Sequence, residues 1–327
     1  LQTRDIIVIG ASMGGVDALS RLAGQLPADL PASVLVVQHV SEDSPGLLAG
    51  ILGARGALPA SQAVDGMPLE RGRIYVAPPG RHLLLGEEGI RVTFGPRENL
   101  SRPAIDTLFR TAAVNYRSRV IGVVLTGLLA DGAAGLLAVE RCGGAAVVQS
   151  PDDAEYPEMP RNALAATRAP RQTTLAGLGP LLVRLAAQPA PEPPPVPEML
   201  RIEARITERA MSLPEPVPVL GTPTGFTCPE CQGSIQAIDD GGLVRFRCRV
   251  GHAYSAQDWL AEKATAVEDS LWVALQTLEE RADMLVSMAR TELEHGRERS
   301  GASFGERGRE TRLHADRLRE LLRHLPE

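Results

Sequence analysis

The spacing of apolar residues changes character twice along the chain. Up to about residue 185, short apolar runs at Ile6–Gly10, Val34–His39, Arg73–Ala77, Val120–Thr126 and Ala145–Gln149 predict strands. Helical spacing at Val16–Gln25, Pro103–Tyr116 and Ala133–Arg141 occupies several intervals between them. Strands apolar on both faces, alternating with helices, predict an α/β fold: a doubly wound, mostly parallel sheet covered on both sides. Leu83–Leu85 and Ile90–Phe94, parted by Gly86-Glu87-Glu88-Gly89, predict an antiparallel hairpin appended to that sheet.

The run "PAPEPPPVP" at Pro189–Pro197 cannot continue a helix or a central strand and reads as an extended linker. Residues 198–211 suit a short helix, and Pro214–Pro223 breaks the pattern again. The expected division is a catalytic α/β domain at 1–187, a linker at 188–224, a small cysteine module at 225–256 and a helical hairpin at 257–327. In the hairpin, Leu260, Ala264, Val267, Leu271, Ala274, Leu278 and Leu285 predict a coiled-coil-like seam. The polar, glycine-bearing Arg297–Gly308 reads as a loop. Leu313–Leu325 reads as a second helix with Leu318, Leu321, Leu322 and Leu325 on one side. Such stripes are core packing or a docking face, so self-association through these helices is expected.

Composition narrows the classes. The net charge of −6 argues against a nucleic-acid binder, which usually shows a basic face. No apolar run reaches the length of a membrane span, and the N-terminal residues lack the layout of a signal peptide. The expectation is a cytoplasmic protein without membrane insertion. Of the four cysteines, Cys142 stands alone and reads as a packed thiol, whereas Cys228, Cys231 and Cys248 cluster.

"IIVIGASMGGVDAL" (residues 6–19) runs from a strand through a tight turn into a helix. Gly10-Ala11-Ser12-Met13-Gly14 fits G-x-S-x-G, which exposes a serine oxygen at the carboxyl edge of a sheet. The backbone amides near Met13 and Gly14 open the helix and would face an oxyanion. A phosphate-binding turn and a purely structural one compete with this reading. The dinucleotide fingerprint, however, wants glycine at position 12 and an acid after the next strand, where Gln38-His39 stands. A nucleophilic serine needs a base, and the base an orienting group. His39 closes one strand, and Asp131 follows another in "LTGLLADGAAG". Simpler roles for these two are a satisfied strand-end histidine and a helix N-cap.

The segments "VIGASMGGVDAL", "LPADLPASVLVVQHV", "IYVAPPGRHLLL", "SRPAIDTLF", "VVLTGLLADGAAGLLAV" and "MPRNAL" follow in order, and residues 4–185 resemble the catalytic domain of CheB-type chemotaxis methylesterases. The resemblance implies a serine esterase that demethylates glutamyl methyl esters on chemoreceptors and releases methanol, with glutamine deamidation in some members. It implies Ser12 as nucleophile, His39 as base and Asp131 as orienter. Regulation through an attached receiver domain is not expected. Met13 stands where the family commonly has threonine, and Leu129 where it has glycine. These two departures favour the alternative of a non-catalytic signalling scaffold. Arg81 and His82 read as surface polar residues that start the hairpin. Arg102 reads as a surface ion pair or a contact to an acidic substrate.

In "TCPECQGSI…VRFRCRVGHAYS", Cys228, Cys231, Cys248 and His252 form the pattern C-x2-C…C-x3-H. That set closes a tetrahedral site and predicts structural Zn2+ in a zinc-ribbon-like module, with Asp239-Asp240-Gly241-Gly242 as its turn. Arg245, Arg247 and Arg249 alternate onto one face, which suits a solvated strand edge or phosphate contacts.

Overall fold

The computed structural model describes residues 2–208 and 220–324. Its first compact unit runs through Trp259 and its second from Leu260. The first begins β1 (Ile6–Ala11), α1 (Gly15–Ala23), β2 (Ser33–Gln38), α2 (Leu48–Arg55), β3 (Ala60–Gln62), β4 (Ile74–Val76), β5 (His82–Gly86) and β6 (Gly89–Thr93). It continues α3 (Ile105–Tyr116), β7 (Val120–Val124), α4 (Ala133–Arg141), β8 (Ala145–Gln149), α5 (Glu158–Ala166), β9 (Arg171–Thr173), α6 (Leu175–Ala186) and α7 (Glu198–Glu208).

Seven strands form one sheet in the order β3-β4-β2-β1-β7-β8-β9, and every pairing in it is parallel. Alternate residues of a strand face opposite sides. Ile7, Ile9, Val34 and Val36 therefore pack with Leu19, Leu22 and Leu178 on one face. Ile6, Val8, Leu35 and Val37 pack with Leu108, Phe109 and Leu136 on the other. The expected doubly wound sheet is present. β5 and β6 pair antiparallel as a hairpin of their own, not as an extension of the main sheet. The short β3 and β9 and the helices α2, α5 and α6 lie in stretches where the sequence pattern predicted no element.

Within the same unit, β10 (Thr222–Thr227), β11 (Ser234–Asp239), β12 (Val244–Cys248) and β13 (Ala253–Ser255) make an antiparallel sheet in sequential order. Its β11–β12 turn is the predicted Asp239–Gly242, with Gly241 and Gly242 at positive φ. Phe226, Phe246 and Trp259 stack beside the small core of Ile235 and Tyr254. Arg245 and Arg247 are not at a solvated edge. They are buried, paired with Glu203, Asp240 and Glu98. Much of the Pro214–Pro223 stretch, and the end of the helix expected over 198–211, lie outside the described residues.

The second unit holds most of α8 (Ala256–Glu294) and all of α9 (Glu298–Arg323). The expected loop at Arg297–Gly308 is the first half of α9, and the chain reverses around Gly296 instead. The glycines read as loop residues lie where the two helices meet. A Cβ on Gly301 would stand 2.6 Å from Leu293 Cγ, and one on Gly308 3.2 Å from Val286 Cγ2. The seam also differs from the expected one. The buried positions are Leu275, Ala282, Leu285 and Ala289, facing Gly301, Gly308, Thr311 and Ala315, while Leu260 and Val267 are exposed. Leu321 is exposed too, and Leu325 lies outside the described residues. No helix among the described residues is long and apolar enough to cross a membrane.

Candidate functional site

The three strands β2-β1-β7 are neighbours at the centre of the parallel sheet, so their carboxyl ends converge. Ser12 follows β1, His39 follows β2, and Asp131 lies in the loop after β7. His39 Nδ1 is 3.1 Å from Ser12 Oγ, and His39 Nε2 is 2.7 Å from Asp131 Oδ2. The two ring nitrogens thus join the hydroxyl and the carboxylate in one line. An ionised carboxylate only accepts, so Nε2 carries the proton and Nδ1 is free to accept from Ser12.

The serine turn is held by its backbone. Ser12 N donates to the Thr126 carbonyl at 3.0 Å, and Gly15 N to the Ser12 carbonyl at 2.9 Å. Gln38 Nε2 donates to that same Ser12 carbonyl at 2.8 Å. Gly14 sits at φ 73°, a left-handed value that glycine adopts without a Cβ penalty. A Cβ on Gly127 would come within 2.8 Å of Ser12 Cβ, so the loop after β7 approaches the serine as closely as glycine allows. The amides of Met13 and Gly14 have no acceptor among the described residues and lie beside the serine at the opening of α1. The Met13 side chain is exposed.

Asp131 does not cap its own helix α4 in the expected way. Its carboxylate accepts from Ile105 N at 2.6 Å and Asp106 N at 3.0 Å, the first amides of α3. It also accepts from Gly132 N at 3.0 Å and Asn99 Nδ2 at 2.8 Å. Asp106 on α3 returns the pattern by accepting from Gly132 N and Gly135 N of α4. Burial raises the Asp131 pKa, but His39, the Ile105 amide and Asn99 outweigh it, so the net shift is downward. Burial and the neighbouring Asp131 charge push Asp106 up to about 7. Asn99, Asp106 and Gln38 are parts of this site to which the sequence assigned no role. Asp106 is the last residue of "SRPAID", Asn99 lies just before that run, and Gln38 precedes His39.

The hairpin residues divide. Arg81 is exposed and lies over the Phe94 ring. His82 is buried, not at the surface: its Nε2 donates to the Pro96 carbonyl at 2.9 Å, and burial lowers its pKa. Arg102 pairs with Glu42 at 2.8 Å and stacks on Phe94, which is the ion-pair reading. Cys142 is buried, and burial pushes its thiol up to about 11.

Cys228, Cys231, Cys248 and His252 come together at the ends of β10, β12 and β13, with their donor atoms within 4.8 Å of one another. Cys231 Sγ and Cys248 Sγ are 3.7 Å apart, and His252 Nδ1 is 3.7 Å from Cys228 Sγ and 3.5 Å from Cys248 Sγ. A tetrahedral Zn2+ with sulfur at ~2.3 Å and nitrogen at ~2.0 Å sets its ligands about 3.5–3.8 Å apart, so the set fits. The second ring nitrogen of His252 faces Glu230 at 3.4 Å, an arrangement that orients metal-binding histidines.

The part of the chain that holds the parallel sheet is similar to known proteins. A family model described as CheB methylesterase matches residues 7–182. A putative protein-glutamate methylesterase/protein-glutamine glutaminase of Leptospira interrogans (strain Fiocruz L1-130) is 38% identical over 182 residues, which are 55% of this chain and 94% of that protein. Protein-glutamate methylesterase/protein-glutamine glutaminase 2 of Anaeromyxobacter dehalogenans is 42% identical over 145 residues, 44% of this chain and 42% of that protein. The crystal structure of the Thermotoga maritima CheB methylesterase catalytic domain aligns with a TM-score of 0.53 at 28% identity, covering 57% of this chain and all of that one. With more than half of its length matched and the seven-stranded parallel sheet in common, the chain belongs to the CheB methylesterase family.

Proposed function

We propose that this chain is a protein-glutamate methylesterase in which Ser12 is the nucleophile, His39 the general base and Asp131 the orienting carboxylate. The observation that carries the reading is the unbroken line Ser12 Oγ–His39 Nδ1, His39 Nε2–Asp131 Oδ2. His39 Nδ1 takes the Ser12 proton as Oγ bonds to the ester carbonyl carbon. The amides of Met13 and Gly14 hold the oxyanion. The bond to the methoxy oxygen breaks, and His39 returns the proton to give methanol. Water, activated by the same nitrogen, then frees the glutamate. On a glutamine side chain the same attack releases ammonia. The substrates are methylated chemoreceptors or related signalling proteins, met in the cytoplasm, and nucleic acid is no partner. The four-part division made from the sequence stands as the proposed functional division, with the C-terminal helices as a self-association surface. We read Cys228, Cys231, Cys248 and His252 as holding a structural Zn2+. With four protein ligands it would cross-link the module and leave no position for reactive water.

Ser12→Ala should abolish methanol release from a receptor-derived glutamyl methyl ester while leaving the melting temperature within a few degrees. A fluorophosphonate should label wild type at Ser12. Turnover retained in Ser12→Ala would overturn the assignment.

A further inference from the structure

We propose that Asn99 is a positioning residue for Asp131, and that the module strand β13 holds Asn99 in place, which makes the cysteine module part of the esterase's catalytic architecture. This rests on the reading of Ser12, His39 and Asp131 given above. Asn99 is buried between the two parts of the unit. Its Nδ2 donates to Asp131 Oδ1 at 2.8 Å and to Asp106 Oδ2 at 2.9 Å, so one amide bridges two buried carboxylates. Its Oδ1 accepts from Ser255 N at 3.0 Å, and its own N donates to the Ala253 carbonyl at 2.8 Å. Every polar group of Asn99 but its carbonyl is thereby spoken for. One of the bonds reaches Asp131 of the triad, one its neighbour Asp106, and two face β13.

The backbone explains why asparagine stands here. Asn99 has φ 48°, a left-handed value that asparagine adopts more readily than most residues. The preceding residue ties the same loop to the module from the other side. Glu98 is buried, with its carboxylate on Arg110 of α3 at 2.7 Å and on Arg247 of β12 at 2.9 Å. Without the Asn99 amide, the backbone amide of Gly132 would be the donor left shared between Asp106 and Asp131. The direction of Asp131 Oδ2 toward His39 would then rest on backbone amides alone. The start of α8, which follows the module, brings a second group near the triad. Asp258, wholly buried at the start of α8, bears electrostatically on both Asp131 and His39. Asn99 touches neither substrate nor reacting atom in this arrangement; it acts through Asp131.

The test uses the full chain and a glutamyl methyl ester substrate, with kcat, KM and melting temperature followed from about pH 5 to pH 9. Asn99→Gly keeps the left-handed backbone and deletes the amide. It should lower kcat by about tenfold to a hundredfold with KM changed less than about threefold. Asn99→Asp keeps the acceptor for Ser255 N. Its carboxyl can donate to Asp131 only when protonated, so its activity should be highest at the acidic end and fall as pH rises, a limb that wild type lacks. Ser255→Pro removes the donor to Asn99 Oδ1 and also the hydroxyl bound to Asp258, so it is read against Ser255→Ala, which keeps the backbone amide. Ser255→Pro should lower kcat, and combining it with Asn99→Gly should add little further loss. Two results would overturn the proposal: wild-type kcat and pH profile in both Asn99 variants, or parallel loss at every pH matched by the fall in melting temperature. A Ser255→Pro effect that multiplies with that of Asn99→Gly would remove the module from it. Ser12→Ala run alongside separates the readings. If it retains turnover, the triad assignment fails. If it abolishes turnover while the Asn99 variants stay unchanged, only the positioning role fails.

Discussion

At the scale of single residues, the site is a set of buried charges kept apart by amides. Asp258 shows what such burial costs. Its Oδ1 has no partner among the described residues, and its other oxygen takes the Ser255 hydroxyl. Burial pushes its pKa up to about 6, with the Asp131 charge adding to the rise and Ser255 opposing it. A carboxyl raised on folding stabilises the native state below its unfolded pKa, and that contribution is lost as pH rises through the folded value. The window therefore runs from about pH 4 to about pH 6. Asp258→Asn should lack this dependence, so wild type should lose stability relative to the variant across that window, by on the order of 3 kcal/mol. Thermal melts at a series of pH values check it, and a constant difference would refute it. The meeting of Ser12, His39 and Asp131 was legible because each follows a strand of the parallel sheet. Asn99 and Asp258 were not, because their roles come from contacts with residues far away in sequence.

At the scale of elements, the central strands and the helices α1, α3 and α4 were legible from apolar periodicity, with ends differing by one or two residues, as is usual for element boundaries. Short edge strands carry too few residues for a period to show. The start of α9 departs from the sequence pattern for another reason. Glycine lowers helix propensity, yet the two helices approach so closely that a Cβ at Gly301 would collide with Leu293 and one at Gly308 would press on Val286. The cysteine module was legible from ligand spacing alone. Removing metal with a chelator, or making Cys231→Ser, should release about one zinc ion per chain and lower the melting temperature of the unit that carries the module. Metal analysis together with calorimetry reads both, and an unchanged melting temperature after metal loss would count against a structural ion.

At the scale of the whole molecule, the buried ion network joins α3, α7 and the module into one unit. Glu98 accepts from Arg110 and Arg247, Glu203 on α7 pairs with Arg245, and Arg245 also meets Asp240. No pattern in the sequence could show this, since Arg247 lies 149 positions from Glu98. Breaking a buried pair from one side leaves the remaining charge uncompensated, which typically costs about 3–5 kcal/mol. Glu98→Ala should therefore destabilise the first unit by that order, with sheet and module unfolding in a single transition. Two separate calorimetric transitions for them would contradict it. The order of the parts along the chain has a consequence for biosynthesis. Ser12, His39 and Asp131 leave the ribosome long before the strand Ala253–Ser255 that secures Asn99. On the proposed roles, a nascent polypeptide would own Ser12, His39 and Asp131 yet remain a poor esterase until translation has passed that strand.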